Sequence, residues 1–272
     1  MERAAVGDVE LAYEVVGDGP RLVWLHGLAS CMDGDRDVVD ALAERFTVLA
    51  YDARGHGRSA PVYETERHSY PILADDLLAM LSHVGWDGAI LAGSSMGGAT
   101  AARAAMLSDR AAALVMVRPG AGGHDGAAPT WLQLIFAGGA HAIRNGGLDG
   151  AIEFLWSIPQ ARAQLEREPS RIEQLRTDWE RHDPLSIAAA LEAIPRTSPL
   201  DGGLSGDAIT CPALVIPGDD VIHPREAGEA VAAVIPGARL LEPFPVGTSR
   251  TDEVVALVEH ISAFVADEDA LA

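Results

Sequence analysis

Short apolar runs alternate along this chain with longer stretches whose apolar residues recur at helical spacing. Val9 to Val16 alternates polar and apolar and stops at Gly17-Asp18-Gly19-Pro20, which predicts an edge strand. Arg21–His26 (RLVWLH), Thr47–Tyr51 (TVLAY), Ala89–Ala92 and Ala111–Val117 (AAALVMV) are continuous apolar runs and predict buried strands. Between them, Asp37–Phe46 carries Val38, Val39, Leu42 and Phe46 on one side. Tyr70–Val84 does the same with Ile72, Leu73, Leu77, Leu78 and Leu81, and Ser95–Leu107 is an alanine-rich helix. Strand and helix in turn predict an α/β fold, a mostly parallel central sheet with helices on both faces.

The alternation stops after Arg118. Up to Gly206 the pattern offers only helical stretches, Trp131–Ile143, Leu148–Trp156, Ser170–His182 and Leu185–Ile194, punctuated by glycine and proline. It then resumes with a strand at Ala213–Ile216, a helix at Glu226–Val234, a strand at Ala238–Leu241 and a final helix at Thr251–Val265. The pattern predicts a core from residues 1–118 and 207–272, with residues 119–206 forming a helical cap over the C-terminal edge of the sheet. The last residues, ADEDALA, are expected to fray.

Charge narrows the partners. Forty acidic against 20 basic residues leave a net charge of −20, which repels phosphate backbones and anionic headgroups, so neither nucleic acid nor a membrane surface is expected. No apolar run approaches the roughly 20 residues that span a bilayer. MERAAVGDVELAYEVVG lacks the apolar region of a secretory signal, and Cys31 and Cys211 read as free thiols, so a cytoplasmic protein is expected. Neither cysteine has metal-ligand spacing around it, and no metal or other cofactor is expected.

The segment with the most chemical content is Ala89 to Ala99, a strand, a sharp turn and a helix around Gly93-Ser94-Ser95-Met96-Gly97. This is G-x-S-x-G. Small neighbours two residues either side let the backbone turn tightly enough to lift the serine off the sheet edge. The helix that starts there favours developing negative charge beside it.

Together with three further segments, this turn makes the chain resemble the α/β-hydrolase fold superfamily, over nearly its whole length. His26-Gly27 resembles the family's oxyanion loop, and Asp52-Ala53-Arg54-Gly55-His56-Gly57-Arg58-Ser59 its D-x-R-G-H-G-x-S segment. Cys211 to Pro224 resembles its late strand and acid loop, and the helical stretch falls where the family inserts a cap, after the sixth strand. The resemblance implies Ser95 as nucleophile, with the backbone N–H groups of Met96 and Leu28 forming the oxyanion hole. It implies Asp220 as the acid, with Asp219 as its rival. His26 is expected to order the oxyanion loop, and His56 to be structural.

One family position is different. The histidine base belongs on the loop after the last strand, and there Pro243-Phe244-Pro245-Val246-Gly247-Thr248 places Thr248 in its slot. His260 follows in mid-helix, on a helix the fold holds away from the elbow. His223, three residues beyond Asp220, and His124, just past the strand leading into the cap, are the candidate substitutes. The resemblance implies a hydrolase of small esters or lactones. Thr248 keeps two alternatives open: a non-hydrolytic lyase, isomerase or cyclase on the same scaffold, and a protein that binds a ligand without turning it over. The substrate is expected to be a small, partly apolar molecule. Trp131, Phe136, Phe154 and Trp156 of the cap are expected to be mainly helix-packing groups.

Overall fold

A computed structural model of the protein describes residues 1–121, 126–167 and 170–267. The described residues form one eight-stranded sheet in the order β1-β2-β4-β3-β5-β6-β7-β8. Its strands are β1 (Glu2–Val6), β2 (Val9–Val16), β3 (Arg21–Leu25), β4 (Thr47–Tyr51), β5 (Ala89–Ser94), β6 (Ala111–Val117), β7 (Ala213–Ile216) and β8 (Arg239–Leu240). β1 and β2 pair antiparallel, as do β2 and β4, and every other pairing is parallel.

The apolar runs become buried strands because both faces of the sheet are covered. Leu22 and Trp24 of β3, Val48 and Ala50 of β4, and Ile90 and Ala92 of β5 point to one side. There they meet Val38, Val39 and Leu42 of α1 (Arg36–Ala43) and Leu257, Ile261 and Phe264 of α9 (Arg250–Asp267). The intervening residues Val23, Leu25, Leu49 and Leu91 point to the other side. They pack on Leu77, Met80 and Leu81 of α2 (Tyr70–His83) and on the alanines of α3 (Met96–Leu107). Arg250 holds α9 to α1 through a bidentate pair with Asp37 at 2.8 and 2.9 Å.

Between β6 and β7 the chain is helical: α4 (Thr130–Ser157), α5 (Pro159–Arg167), α6 (Ser170–Trp179) and α7 (Pro184–Ala193). α4 breaks at Gly147, whose φ of 58° and ψ of −146° are not helical. The pattern read its two halves as separate helices for that reason. α5 is a mostly polar helix, with Leu165 its one large apolar residue, and is not among the predicted elements. Asp183 caps α7 by accepting the N–H groups of Leu185 and Ser186, with Pro184 in the first turn. α8 (Arg225–Val234) follows β7 and links it to β8.

One strand assignment changes. Val9–Val16 is not the edge of the sheet, because Glu2–Val6 pairs along its outer side in an antiparallel hairpin. Glu2 and Arg3 are exposed while Ala4 and Val6 are buried, an alternation too short to stand out beside a chain terminus.

Candidate active site

Parallel strands send their C-terminal loops to one sheet edge, and here β3, β5, β6 and β7 do so side by side. Ser95 follows β5 near the centre of this edge. Its φ of 52° and ψ of −114° lie in a region an L-residue occupies at a cost of about 1–3 kcal/mol. The turn is held on both sides: the Ser95 N–H donates to the Val117 carbonyl at 2.9 Å, and its carbonyl accepts the Ala99 N–H at 3.0 Å. A side chain at Gly97 would overlap the backbone carbonyl of Leu25, so the turn closes on β3 only with glycine there.

The loop after β7 brings its own pair of groups to Ser95. His223 Nε2 lies 3.0 Å from Ser95 Oγ, and His223 Nδ1 lies 3.0 Å from Asp220 Oδ2. An ionised carboxylate only accepts, so Nδ1 carries the proton and Nε2 is free to accept the Ser95 hydroxyl proton. Asp220 Oδ1 accepts the N–H groups of Ile222 and His223, both at 2.8 Å. Partial desolvation alone would raise the Asp220 pKa, but the His223 ring and these two amides outweigh it and bring it down to about 2. The loop folds back tightly enough that a Cβ on Gly218 would collide with His223, so glycine at 218 is what lets the ring come in.

Of the sequence candidates, the structure therefore brings together Ser95, Asp220 and His223. Asp219 is exposed and makes no hydrogen bond to either partner among the described residues. Thr248 donates its Oγ1 hydrogen to the Pro245 carbonyl at 2.6 Å and serves the turn before α9. His260 sits on α9, its ring 6.3 Å from that of Phe244. His124 lies outside the described residues.

The loop after β3 runs beside Ser95. The Gly27 carbonyl accepts the His26 Nδ1–H at 2.8 Å and the Ser30 N–H at 3.1 Å. His26 Nε2 in turn accepts the Ala53 N–H at 2.9 Å, which fixes its tautomer. In a trans peptide the next N–H points opposite to the carbonyl, so this double clamp aims the Leu28 N–H away from His26. Neither the Leu28 nor the Met96 N–H donates to a protein group among the described residues. Two backbone donors flanking a serine can stabilise an oxygen that becomes negative there.

The rest of the D-x-R-G-H-G-x-S segment is scaffold. Asp52 accepts the N–H groups of Met32 at 2.7 Å and Arg58 at 2.8 Å. Arg54 is bidentate to Asp76 of α2 at 2.7 Å, both side chains almost fully buried. His56 is buried with Nδ1 on the Arg54 carbonyl at 2.9 Å and Nε2 unpartnered; desolvation first, then the neighbouring histidines, press its pKa well down. The sequence reading missed His182, which follows α6 and reaches this segment from the insert. Its place before the Asp183-Pro184 helix start marks a helix boundary and gives no sign of the contact.

A cavity of about 80 Å³ opens against Ser95, room for several water-sized groups. Leu28, Tyr70, Met96, Leu132, Phe136 and Ile222 are in its wall, and no charged side chain lines it among the described residues. Of Trp131, Phe136, Phe154 and Trp156, Phe136 is there. Thr197 is occupied, its Oγ1 donating to the Ile194 carbonyl at 3.0 Å. The Tyr70 hydroxyl has no hydrogen-bond partner among the described residues, and burial raises its pKa.

Comparison with known proteins gives a consistent answer. The model of the alpha/beta hydrolase fold family matches residues 20–247. The chain is 38% identical over 93 residues to the bifunctional esterase/perhydrolase DCH of Acinetobacter calcoaceticus, covering 33% of each protein. It is 31% identical over 232 residues to polyketide synthase ThaQ of Burkholderia thailandensis, covering 82% of this chain and 11% of that protein. The chain thus spans between about a tenth and a third of the curated relatives it matches. Among solved structures, a hydrolase from Pseudomonas aeruginosa PA01 superposes with a TM-score of 0.78 at 26% identity, covering 97% of both chains. The enol-lactonase of Burkholderia xenovorans LB400 superposes with a TM-score of 0.79 at 24% identity, covering 97% of this chain and all of that one.

Proposed function

This chain belongs to the alpha/beta hydrolase fold family, and we propose that it hydrolyses small uncharged carboxylic esters or lactones. Ser95 is the nucleophile, His223 the base and Asp220 the carboxylate behind it. The observation that carries the reading is the unbroken chain of contacts from Ser95 Oγ through His223 to Asp220, at 3.0 Å in each step.

The chemistry follows from the proton positions. Ser95 Oγ attacks the carbonyl carbon as its proton passes to His223 Nε2, and Asp220 stabilises the imidazolium without taking a proton. The carbonyl oxygen becomes an oxyanion between the Leu28 and Met96 N–H groups. The intermediate collapses, His223 gives its proton to the departing alkoxide, and an acyl-serine remains. Water then adds to the acyl carbon, losing its proton to His223, and the carboxylic acid leaves as Ser95 recovers its hydrogen. In a lactone the departing alkoxide stays attached to the acid, and the product is one hydroxy acid.

The cavity supports the choice of substrate. Its volume suits a short acyl group, and among the described residues its wall offers no charge to offset the desolvation of a carboxylate. The alternative of a non-hydrolytic reaction rests on Thr248 standing in the histidine slot, and the 3.0 Å approach of His223 Nε2 to Ser95 Oγ supports a base supplied from a different loop.

The test is turnover of p-nitrophenyl acetate and butyrate under presteady-state conditions. The reading expects a burst of nitrophenol equal to the enzyme concentration, and its disappearance in Ser95→Ala. Turnover that Ser95→Ala retains would contradict it.

A further inference from the structure

Three imidazoles stand in a row beside the oxyanion loop. The His26 and His56 rings are 5.2 Å apart, and the His56 and His182 rings 5.8 Å apart. His26 and His56 come from the sheet's own loops, whereas His182 comes from the helical insert. His182 Nδ1 accepts the Gly57 N–H at 2.9 Å. Its proton is therefore on Nε2, which faces the Ala29 carbonyl at 3.3 Å.

Ala29 needs such a hold. Its φ is 61°, a left-handed conformation that a residue with a side chain adopts only at a cost. Leu28 and Ala29 also pack against the insert's own apolar cluster, which includes Ala140, Ile143, Ile187 and Leu191. The loop that carries the Leu28 N–H is thus clamped at Gly27 by the core and at Ala29 by the insert. Between these two fixed carbonyls the Leu28 and Ala29 torsions have little freedom.

We propose that His182 is a positioning residue for the oxyanion hole, so that seating the helical insert and aiming the Leu28 N–H are a single event. This inference rests on Ser95 being the nucleophile. Without the His182 contact, Ala29 can relax out of its positive φ, which opens the turn that brings the Ser30 N–H to the Gly27 carbonyl, and the Gly27–Leu28 peptide keeps only the His26 hold and can rotate. The Leu28 donor then no longer meets the oxyanion, while the Ser95–His223–Asp220 contacts, made by other loops, are untouched. The imidazole is suited to the task because it stays neutral: burial, then His26 and Arg181 nearby, bring its pKa down to about 4, with the Ala29 carbonyl opposing. A second proton on Nδ1 would face the Gly57 N–H and break the clamp.

The test compares His182→Phe with His182→Gln, since glutamine keeps one acceptor and one donor. On an activated ester, His182→Phe is expected to lower kcat about 10- to 100-fold with KM nearly unchanged, up to the scale at which outright loss of an oxyanion donor begins. His182→Gln is expected to recover most of the rate. Amide exchange at Ser30 and Gly57 should accelerate in the phenylalanine variant and return toward wild type in the glutamine variant. A phenylalanine variant that loses thermal stability but keeps kcat overturns the inference. Should the wild-type protein neither turn over esters nor take a covalent probe at Ser95, the hydrolase reading itself fails. The Ser30 exchange rates then decide the link between insert and loop alone: acceleration in His182→Phe upholds it, and unchanged rates refute it.

Discussion

His223 Nε2 sits 3.0 Å from Ser95 Oγ across a sequence separation of 128 residues, while the carboxylate on its other ring nitrogen lies only three residues away. Carboxylate and imidazole here share one short loop, fixed by the Asp220 side chain accepting two of the loop's own amides. The module explains how a chain with threonine at the usual histidine position still presents an imidazole to its serine.

Removing that imidazole should disable the site. His223→Ala is expected to lower kcat about 10⁴-fold or more, and Ser95→Ala/His223→Ala little further, because the two residues act as one unit. Thr248→Ala should leave kcat within about twofold of wild type, as a surface change away from the reacting groups. Steady-state kinetics on one activated ester reads all three.

Acid should weaken the fold through the buried histidines. His182 has a folded pKa of about 4 against roughly 6.5 in an unfolded chain, so its contribution is intact above pH ~6.5 and is lost as pH falls toward 4. The loss is about 3 kcal/mol for this group, and His56, also held down, adds in the same direction. Urea titrations between pH 7 and 4 should show this decline, and His182→Gln should flatten it. Asp220, with a pKa of about 2, contributes a further loss only below pH ~4.

Tyr70 should discriminate between substrates. Among the described residues its hydroxyl has no partner in a mostly apolar wall, and such a group gains a hydrogen bond when a ligand acceptor reaches it. Tyr70→Phe should lower kcat/KM for an ester bearing a ketone or hydroxyl on its acyl chain by about tenfold relative to the plain acyl ester. An equal effect on both esters would remove Tyr70 from substrate recognition.

Breaking the buried pair under the Gly-rich loop should cost stability. Among the described residues Asp76→Ala leaves buried Arg54 with only exposed Asp8 as a charge partner, and a loss of about 3–5 kcal/mol is expected in denaturant titrations.

Much of this molecule was legible in the residues. The alternation of apolar runs with helical spacing gave the parallel sheet, because strands covered on both faces must be continuously apolar. The elbow was legible because its geometry demands small residues at fixed positions around Ser95. His223 was identifiable only as one candidate beside His124, since nothing in a linear pattern says which way a loop imidazole turns; Asp220 and Gly218 settle that in three dimensions. His182 was invisible for a related reason. Its partners are backbone groups at Ala29 and Gly57, which carry no sequence signature. β1 escaped notice because pairing with β2, rather than any pattern of its own, makes it a strand.

The central claim is that His223 activates Ser95. The most direct measurement is the rate at which a fluorophosphonate modifies the protein, with the adduct mapped by mass spectrometry. Wild type and Thr248→Ala are predicted to react at Ser95 at the same rate, and His223→Ala at least about 10³-fold more slowly. An adduct that forms at wild-type speed without His223, or no adduct at Ser95 in the wild type, would contradict the account.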